Sequence, residues 1–127
     1  MLRRTFCATC LGVDAITVVV EVDVTAGISF HLVGLPDSAV RESQQRIGTD
    51  LTSVGARIPG KKIIVNMAPA DLKKEGSSFD LAIAVGILAA TGQYSFCNLN
   101  EFMILGELAL DGSLRPVSGA LPIAEHA

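Results

Sequence analysis

The chain has 127 residues, of which 50% are hydrophobic and 18% are charged, and its formal net charge is −3 at pH 7. This length suits one compact domain, and this composition argues against disorder. The acidic balance gives no basic face of the kind that DNA-binding modules display. No apolar stretch reaches the roughly 20 residues that a membrane-spanning helix needs. Asp14 also interrupts the N-terminal apolar run early, so we expect a cytoplasmic protein without membrane contact.

The first half of the chain predicts four strands. Segment 15–25 alternates valines with polar residues, which is typical of a strand with one solvated face. Segment 3–12 should pair with it across a turn at 12–14. A third strand is predicted over 28–33, and a buried fourth strand over 61–67.

An amphipathic helix is predicted between the third and fourth strands. Asp37 or Ser38 can cap its N-terminus, because either side chain accepts hydrogen bonds from first-turn amides. Gly55 suits the position that follows its last turn. The apolar stripe that should face the core consists of Val40, Ile47, Leu51 and Val54.

A second helix, from Ser78 or Phe79 to Thr91, is apolar nearly all round and is closed by Gly92. Such a helix lies in the middle of a domain. The remaining predicted elements are strands over 103–105 and 108–110, a hairpin turn at Asp111 and Gly112, a strand over 113–117 and a helix over 118–127 capped by Ser118. That last helix has no signal at its end, so we expect the chain to be part of a longer protein. The elements together predict an α/β (α+β) fold in a single domain over 1–127, with a mixed β-sheet packed against two to three helices, one of them central and apolar.

The three cysteines invite a redox or metal interpretation. Cys7 and Cys10 form a C-x-x-C pattern, but residues three apart on a strand point to opposite faces. A zinc site would need a second ligand pair, and Cys97, His31 and His126 stand at no recognisable spacing. We therefore predict reduced, partly buried cysteines and no metal site.

Two lysine pairs, Lys61 with Lys62 and Lys73 with Lys74, are local basic clusters. We interpret them as solvated edges, and the alternative is contact with nucleic acid or with a protein partner. Segment 55–62 fits the pattern G-x-x-x-x-G-K but lacks the Ser or Thr that ligates magnesium. It also leads from a helix into a strand, whereas a phosphate loop leads from a strand into a helix. We predict no nucleotide site in this chain.

Two segments, 66–80 and 106–119, resemble the catalytic segments of the Lon-type serine–lysine peptidase domain. Ser78 occupies the serine position, where helix N-terminal amides can stabilise an oxyanion. A serine becomes a nucleophile only when a base takes its proton. The resemblance places Leu121 where that domain has its lysine, and leucine accepts no proton. We therefore predict that the chain has no catalytic residue and that Ser78 is vestigial.

Two other interpretations of this serine stay open. Ser77 or Ser78 can cap the second helix by accepting hydrogen bonds from its first-turn amides. The alternative is a Lon-like serine hydrolase that uses Ser78 with an unrecognised base. Neither His31 nor His126 occupies a recognisable position for that base.

Nearly the whole chain is similar, in order, to the N-terminal domain of the YifB/ComM family of magnesium-chelatase-related AAA+ proteins. The segments that carry the similarity are 31–37, 66–72, 74–76, 79–84 and 106–108. The resemblance implies a Lon-peptidase-like domain followed by an AAA+ ATPase module beyond residue 127.

The resemblance further implies that the whole protein uses ATP and magnesium, forms a homo-hexamer and acts on DNA as a competence-type branch-migration helicase. This chain would then be a non-catalytic scaffold that contacts the rest of its own chain, with or without direct contact to DNA. A third version is an assembly module that binds no ligand. No cofactor is expected in the chain itself.

Overall fold

The computed structural model describes residues 1–11, 14–53, 55, 61–117 and 126. The elements in chain order are β1 (Leu2–Leu11), β2 (Asp14–Ala26), β3 (Ser29–Val33), α1 (Ser38–Ser53), β4 (Lys61–Ala68), α2 (Asp80–Ala90), a short 3-10 turn (Leu99–Glu101), β5 (Glu107–Leu108) and β6 (Leu114–Arg115). None of the described helices is long and apolar enough to cross a membrane.

Strands β1 to β4 form one mixed sheet in the spatial order β1-β2-β4-β3. β1 and β2 pair antiparallel, with Leu11 opposite Asp14 at the hairpin, and β2 pairs antiparallel with β4. β3 runs parallel to β4, because α1 carries the chain back across the sheet between them. The four predicted strands and the mixed α/β (α+β) fold are thus confirmed.

The core lies between one face of this sheet and α2. Alternate residues of the two central strands point to this face and are buried, because strand side chains alternate between the two faces. Helix α2 is buried on most of its circumference, which confirms the prediction of a central apolar helix. The core residues of these elements are Val18, Val20, Val22, Ile63, Val65, Met67, Ala82, Ile83 and Ile87.

Helix α1 has the termini and the apolar stripe that the sequence predicts. The Val40 amide donates to Asp37 Oδ1 at 2.8 Å, so Asp37 caps the N-terminus. At the other end, Gly55 has a φ of +79°, and its amide donates to the Thr52 carbonyl at 3.1 Å. Val40, Ile47 and Leu51 are buried, whereas Val54 lies outside the described residues.

The start of α2 corrects one prediction. The residue before the helix is Phe79, whose backbone is already helical (φ −83°, ψ −12°), and no side chain caps the first turn. The interpretation of Ser77 or Ser78 as a cap is therefore wrong. Phe79 and Asp80 are almost completely buried, so long-range contacts of these residues, rather than a local cap, determine where the helix begins.

The C-terminal strands are shorter than predicted. Met103 forms a single parallel bridge with Phe6 instead of a full strand. β5 and β6 contain two residues each, joined by the predicted turn, in which Gly112 has a φ of +87°. Of the helix predicted over 118–127, including Ser118 and Leu121, only residue 126 lies within the described part of the chain.

Helix α2 approaches β2 so closely that only glycine fits at one position. A Cβ added to Gly86 would lie 2.7 Å from Val22 Cγ2, well inside van der Waals contact. Nearby, the Thr5 hydroxyl donates to the Ala82 carbonyl of the helix at 2.9 Å. The spacing between this helix and the sheet therefore depends on the missing side chain at position 86.

We expect Gly86→Ala to lower the free energy of unfolding by about 1–3 kcal/mol, because the added methyl group overpacks the core. Gly48→Ala on α1 is the matched control, since a Cβ there meets no atom within 4 Å. It should raise stability by about 0.5–1 kcal/mol through helix propensity. Urea denaturation of both variants checks this, and equal effects would contradict the proposed close contact.

Candidate functional site

The loop that carries Ser78 and the segment that begins at Gly106 lie side by side. The Gly106 amide donates to the Ser78 carbonyl at 3.0 Å, and the Leu81 amide donates to the Gly106 carbonyl at 3.1 Å. A Cβ on Gly106 would lie 3.0 Å from the Leu81 Cβ. The two segments that resemble peptidase catalytic segments are thus brought together, through backbone hydrogen bonds that need a small residue at position 106.

The hydroxyl of Ser78 has no hydrogen-bond partner among the described side chains, although the serine itself is half-buried. Its carbonyl, in contrast, also accepts a weak bond from the Cys7 thiol at 3.9 Å. His126 Nε2 lies 2.7 Å from the Thr17 hydroxyl, and the register places Thr17 on the sheet face opposite Cys7. The pairing of Ser78 with the Leu121 position stays a prediction, because residue 121 lies outside the described part of the chain.

The buried carboxylate of Asp80 organises this site. Arg46 of α1 donates to both of its oxygens, from Nε to Oδ2 at 2.7 Å and from Nη2 to Oδ1 at 2.9 Å. The Leu108 amide of β5 donates to Oδ2 at 3.0 Å. Asp80 has no exposed surface, and 17% of the Arg46 side chain is exposed. One carboxylate therefore joins two helices and the β5 strand.

Arg46 remains a cation in this arrangement. Its hydrogen bonds to Asp80 raise the pKa of the guanidinium above its usual value, against the opposing effect of burial. A second Nη2 bond goes to the Ala39 carbonyl at 3.0 Å. Since the Asp80 oxygens are occupied by a guanidinium and a backbone amide, this carboxylate is a structural group and not a base for Ser78. One signal for this role is visible in the sequence, a single acidic residue at the start of an otherwise apolar helix.

A second set of contacts joins the loop before α1 to the loop before α2. The Asp37 amide donates to the Lys74 carbonyl, and the Lys74 amide donates to the Leu35 carbonyl, both at 2.9 Å. Asp37 Oδ2 accepts from the Gly76 amide at 3.1 Å. Asp37 therefore has two roles, because its other oxygen caps α1. The motif segments 31–37 and 74–76 form one interlocked unit.

Lys74 corrects a further prediction, since it is fully buried. Its ammonium donates to the Pro69 carbonyl, and burial lowers its pKa, opposed by the nearby charge of Asp71. Its interpretation as a solvated lysine is wrong, because the side chain is buried and its ammonium bonds to a backbone carbonyl. Lys73, by contrast, is exposed.

The two lysine pairs do not form one basic patch. Lys61 and Lys62 are exposed at the first residues of β4, and Lys73 follows the opposite end of that strand. An eight-residue strand spans roughly 25 Å. In addition, Lys73 lies 3.6 Å from the carboxylate of Glu75. Lys61 and Lys62 thus lie apart from Lys73, whose charge is partly neutralised by Glu75.

Cys7 and Cys10 lie on opposite faces of β1, as the sequence predicts. Cys7 is buried and Cys10 is exposed, and burial raises the pKa of the Cys7 thiol to about 12. At neutral pH this thiol is protonated and unreactive, because the thiolate is the nucleophilic form. Within the described residues, no group of three or more potential ligands could hold a metal ion.

We expect Arg46→Met to destabilise the chain by about 3–5 kcal/mol, because it leaves the Asp80 carboxylate buried without its partner. The double variant Arg46→Met/Asp80→Leu should lose less than the sum of the single losses, with a coupling of about 1–3 kcal/mol. Arg41→Met on the exposed side of the same helix is the control, with an expected change within about 0.5 kcal/mol. Denaturation of all these variants measures their free energies of unfolding. Additive losses would show that Arg46 and Asp80 do not act as a unit.

Comparison with known proteins gives a consistent match. Residues 20–127 match the protein family described as subunit ChlI of Mg-chelatase. The chain is 44% identical over 118 residues to the uncharacterized protein YifB of Escherichia coli. The matched region covers 92% of this chain and 23% of YifB. It is 48% identical over 113 residues to the competence protein ComM of Haemophilus influenzae, covering 88% of this chain and 22% of ComM.

An uncharacterized protein of Mycobacterium bovis is 40% identical over 122 residues, which cover 95% of this chain and 24% of that relative. The chain thus spans about a quarter of the length of the curated relatives that it matches. Because the family match covers most of the chain and includes β4, α2 and the Gly106 segment, the chain belongs to the magnesium-chelatase ChlI family, in which YifB and ComM are its relatives.

Proposed function

We propose that this chain is a non-catalytic N-terminal domain of a longer, magnesium-chelatase-related AAA+ ATPase, and that it positions or assembles the ATPase module. The observation that carries the proposal is the structural use of the peptidase-like segments. Ser78 bonds through its backbone to Gly106, and Asp80 is occupied by Arg46 and the Leu108 amide. These contacts support a role in which the motif residues hold elements together without an activated nucleophile.

The size of the relatives supports the same proposal. ComM and YifB are more than four times the length that this chain matches, which leaves room for a separate ATPase module. We propose that this module binds ATP and magnesium, assembles as a homo-hexamer and acts on DNA in branch migration. The name of the Haemophilus influenzae relative, a competence protein, favours this setting over chelation of magnesium.

The assembly role is tested by comparing the full-length protein with a version that lacks residues 1–127. We expect the shortened protein to bind ATP but to sediment as smaller species, and its ATP hydrolysis to fall as the hexamers are lost. Unchanged sedimentation and hydrolysis would contradict the assembly role.

A fluorophosphonate probe tests the alternative function, a serine hydrolase that uses Ser78. Labelling of the wild-type chain that disappears in Ser78→Ala would favour the hydrolase.

Direct DNA contact by this domain makes a separate prediction. If Lys61, Lys62 and Lys73 contact phosphates, each Lys→Gln variant should reduce the slope of log affinity against log salt by about 0.9 on duplex DNA. Lys74→Met should leave the slope unchanged, because its ammonium is buried. Titrations at several salt concentrations measure this, and slopes that stay equal in all four variants would remove DNA contact from the role of the domain.

A further inference from the structure

β3 is an edge strand whose outer side is paired with no described strand. It occupies the end of the sheet order and pairs on one side only, with β4. Edge strands in natural proteins usually carry lysine, proline or a bulge that blocks pairing with another chain. β3, which reads Ser29–Val33, has no lysine and no proline. The last residue of β3 and the residues near its ends instead expose apolar side chains, with 49% of Val33, 92% of Ile28 and 52% of Leu35 accessible.

A groove runs beside this edge, between β3 and the first half of α1. Its volume is about 340 Å³, and it is lined by Phe30, His31, Leu32, Val33, Arg41 and Gln44. A groove between an edge strand and a helix is the geometry in which an extended peptide adds to a sheet by main-chain hydrogen bonds. Five residues of strand provide a pairing length of roughly 17 Å, enough for a peptide of about the same number of residues.

The charges of the groove select among extended peptides. Arg41 is exposed, and its Nε makes only a long contact of 3.4 Å with the Pro36 carbonyl. Among the described residues no carboxylate forms an ion pair with Arg41, whereas Arg46 on the same helix is paired with Asp80 and Glu42. The lining also includes His31 and no acidic residue. The groove is therefore complementary to a segment that carries carboxylates.

The charge of Arg41 disfavours a second copy of the chain in this place. A symmetric antiparallel pair of β3 strands would place its central residue, His31, opposite its own copy, since a two-fold interface uses the same patch twice. It would also bring two Arg41 guanidinium groups, which form no ion pair with a described carboxylate, towards each other across the interface. Like charges placed across an interface cost free energy.

We propose that the groove between β3 and α1 binds an extended acidic peptide segment of a partner protein, which adds to the sheet as a strand beside β3 while its carboxylate pairs with Arg41. This binding surface does not depend on the ATPase role, because it needs only the side of β3 that pairs with no described strand and the helix beside it. It gives the domain a way to recruit an acidic partner without catalysis.

The test uses the 127-residue chain and a fluorescein-labelled hexapeptide that alternates valine with glutamate, followed by fluorescence anisotropy. We expect saturable binding that weakens with salt, and about tenfold weaker binding to the peptide in which glutamine replaces glutamate, as for the loss of one ion pair in a groove. Arg41→Glu should weaken binding by at least that factor. Arg3→Glu, an equal charge change at an exposed position of β1, is the matched control and should bind normally.

Backbone pairing is tested on the peptide side, so that the fold of the chain is untouched. N-methylation of alternate peptide amides removes the donors along one edge of an extended strand and leaves the other edge intact. One methylation pattern should abolish binding and the other should preserve it. Preserved binding with both patterns, no binding of the glutamate peptide, or equal binding by Arg41→Glu would overturn the proposal. Dimers in sedimentation that the peptide dissociates would assign the edge to a second copy and also overturn it.

Discussion

The buried carboxylate of Asp80 is the constraint on which the arrangement of this domain depends. It accepts two hydrogen bonds from Arg46 of α1 and one from the Leu108 amide of β5, so that three elements meet at one residue. Removing either member of a buried pair leaves the other uncompensated, which is far more costly than replacing both by apolar groups. The pair therefore fixes which elements meet, even where its net contribution to stability is small.

Helix α2 needs such a constraint because its surface is apolar nearly all round. Hydrophobic burial is roughly proportional to area and has no preferred direction, so an all-apolar helix can rotate in its groove at little cost. Three directional features remove that freedom: the Asp80 carboxylate at its first turn, the hydrogen bond from Thr5 to the Ala82 carbonyl, and the close approach of Gly86 to Val22. Together they fix the rotation of the helix about its axis, its position along that axis and its distance from the sheet.

The sequence predicts the elements better than the contacts between them. Strands with alternating valines, and α1 with its Asp37 cap, follow from periodicity and local capping chemistry, which operate over a few residues. The lack of a serine cap on α2 and the burial of Lys74 do not follow from local sequence, because segments distant in sequence form both environments. Ser78 lies at a helix start that burial of Phe79 and Asp80 determines, and Lys74 belongs to a loop that the Leu35–Asp37 backbone pulls inward. Neither contact has a signature in the local sequence.

The loop over 66–80 resembles a catalytic motif, but backbone groups and a buried carboxylate make its contacts with other segments. In a serine peptidase the value of such a loop lies in its hydroxyl and the base beside it. In this chain the groups of the loop that bond to other segments include the carbonyl of Ser78, the amide of Gly76 and the carboxylate of Asp80. Each of them would hold the loop equally well if the hydroxyl at position 78 were absent. The contacts that hold this loop thus do not involve the Ser78 hydroxyl. The side of β3 that pairs with no described strand is the surface that we propose for partner binding.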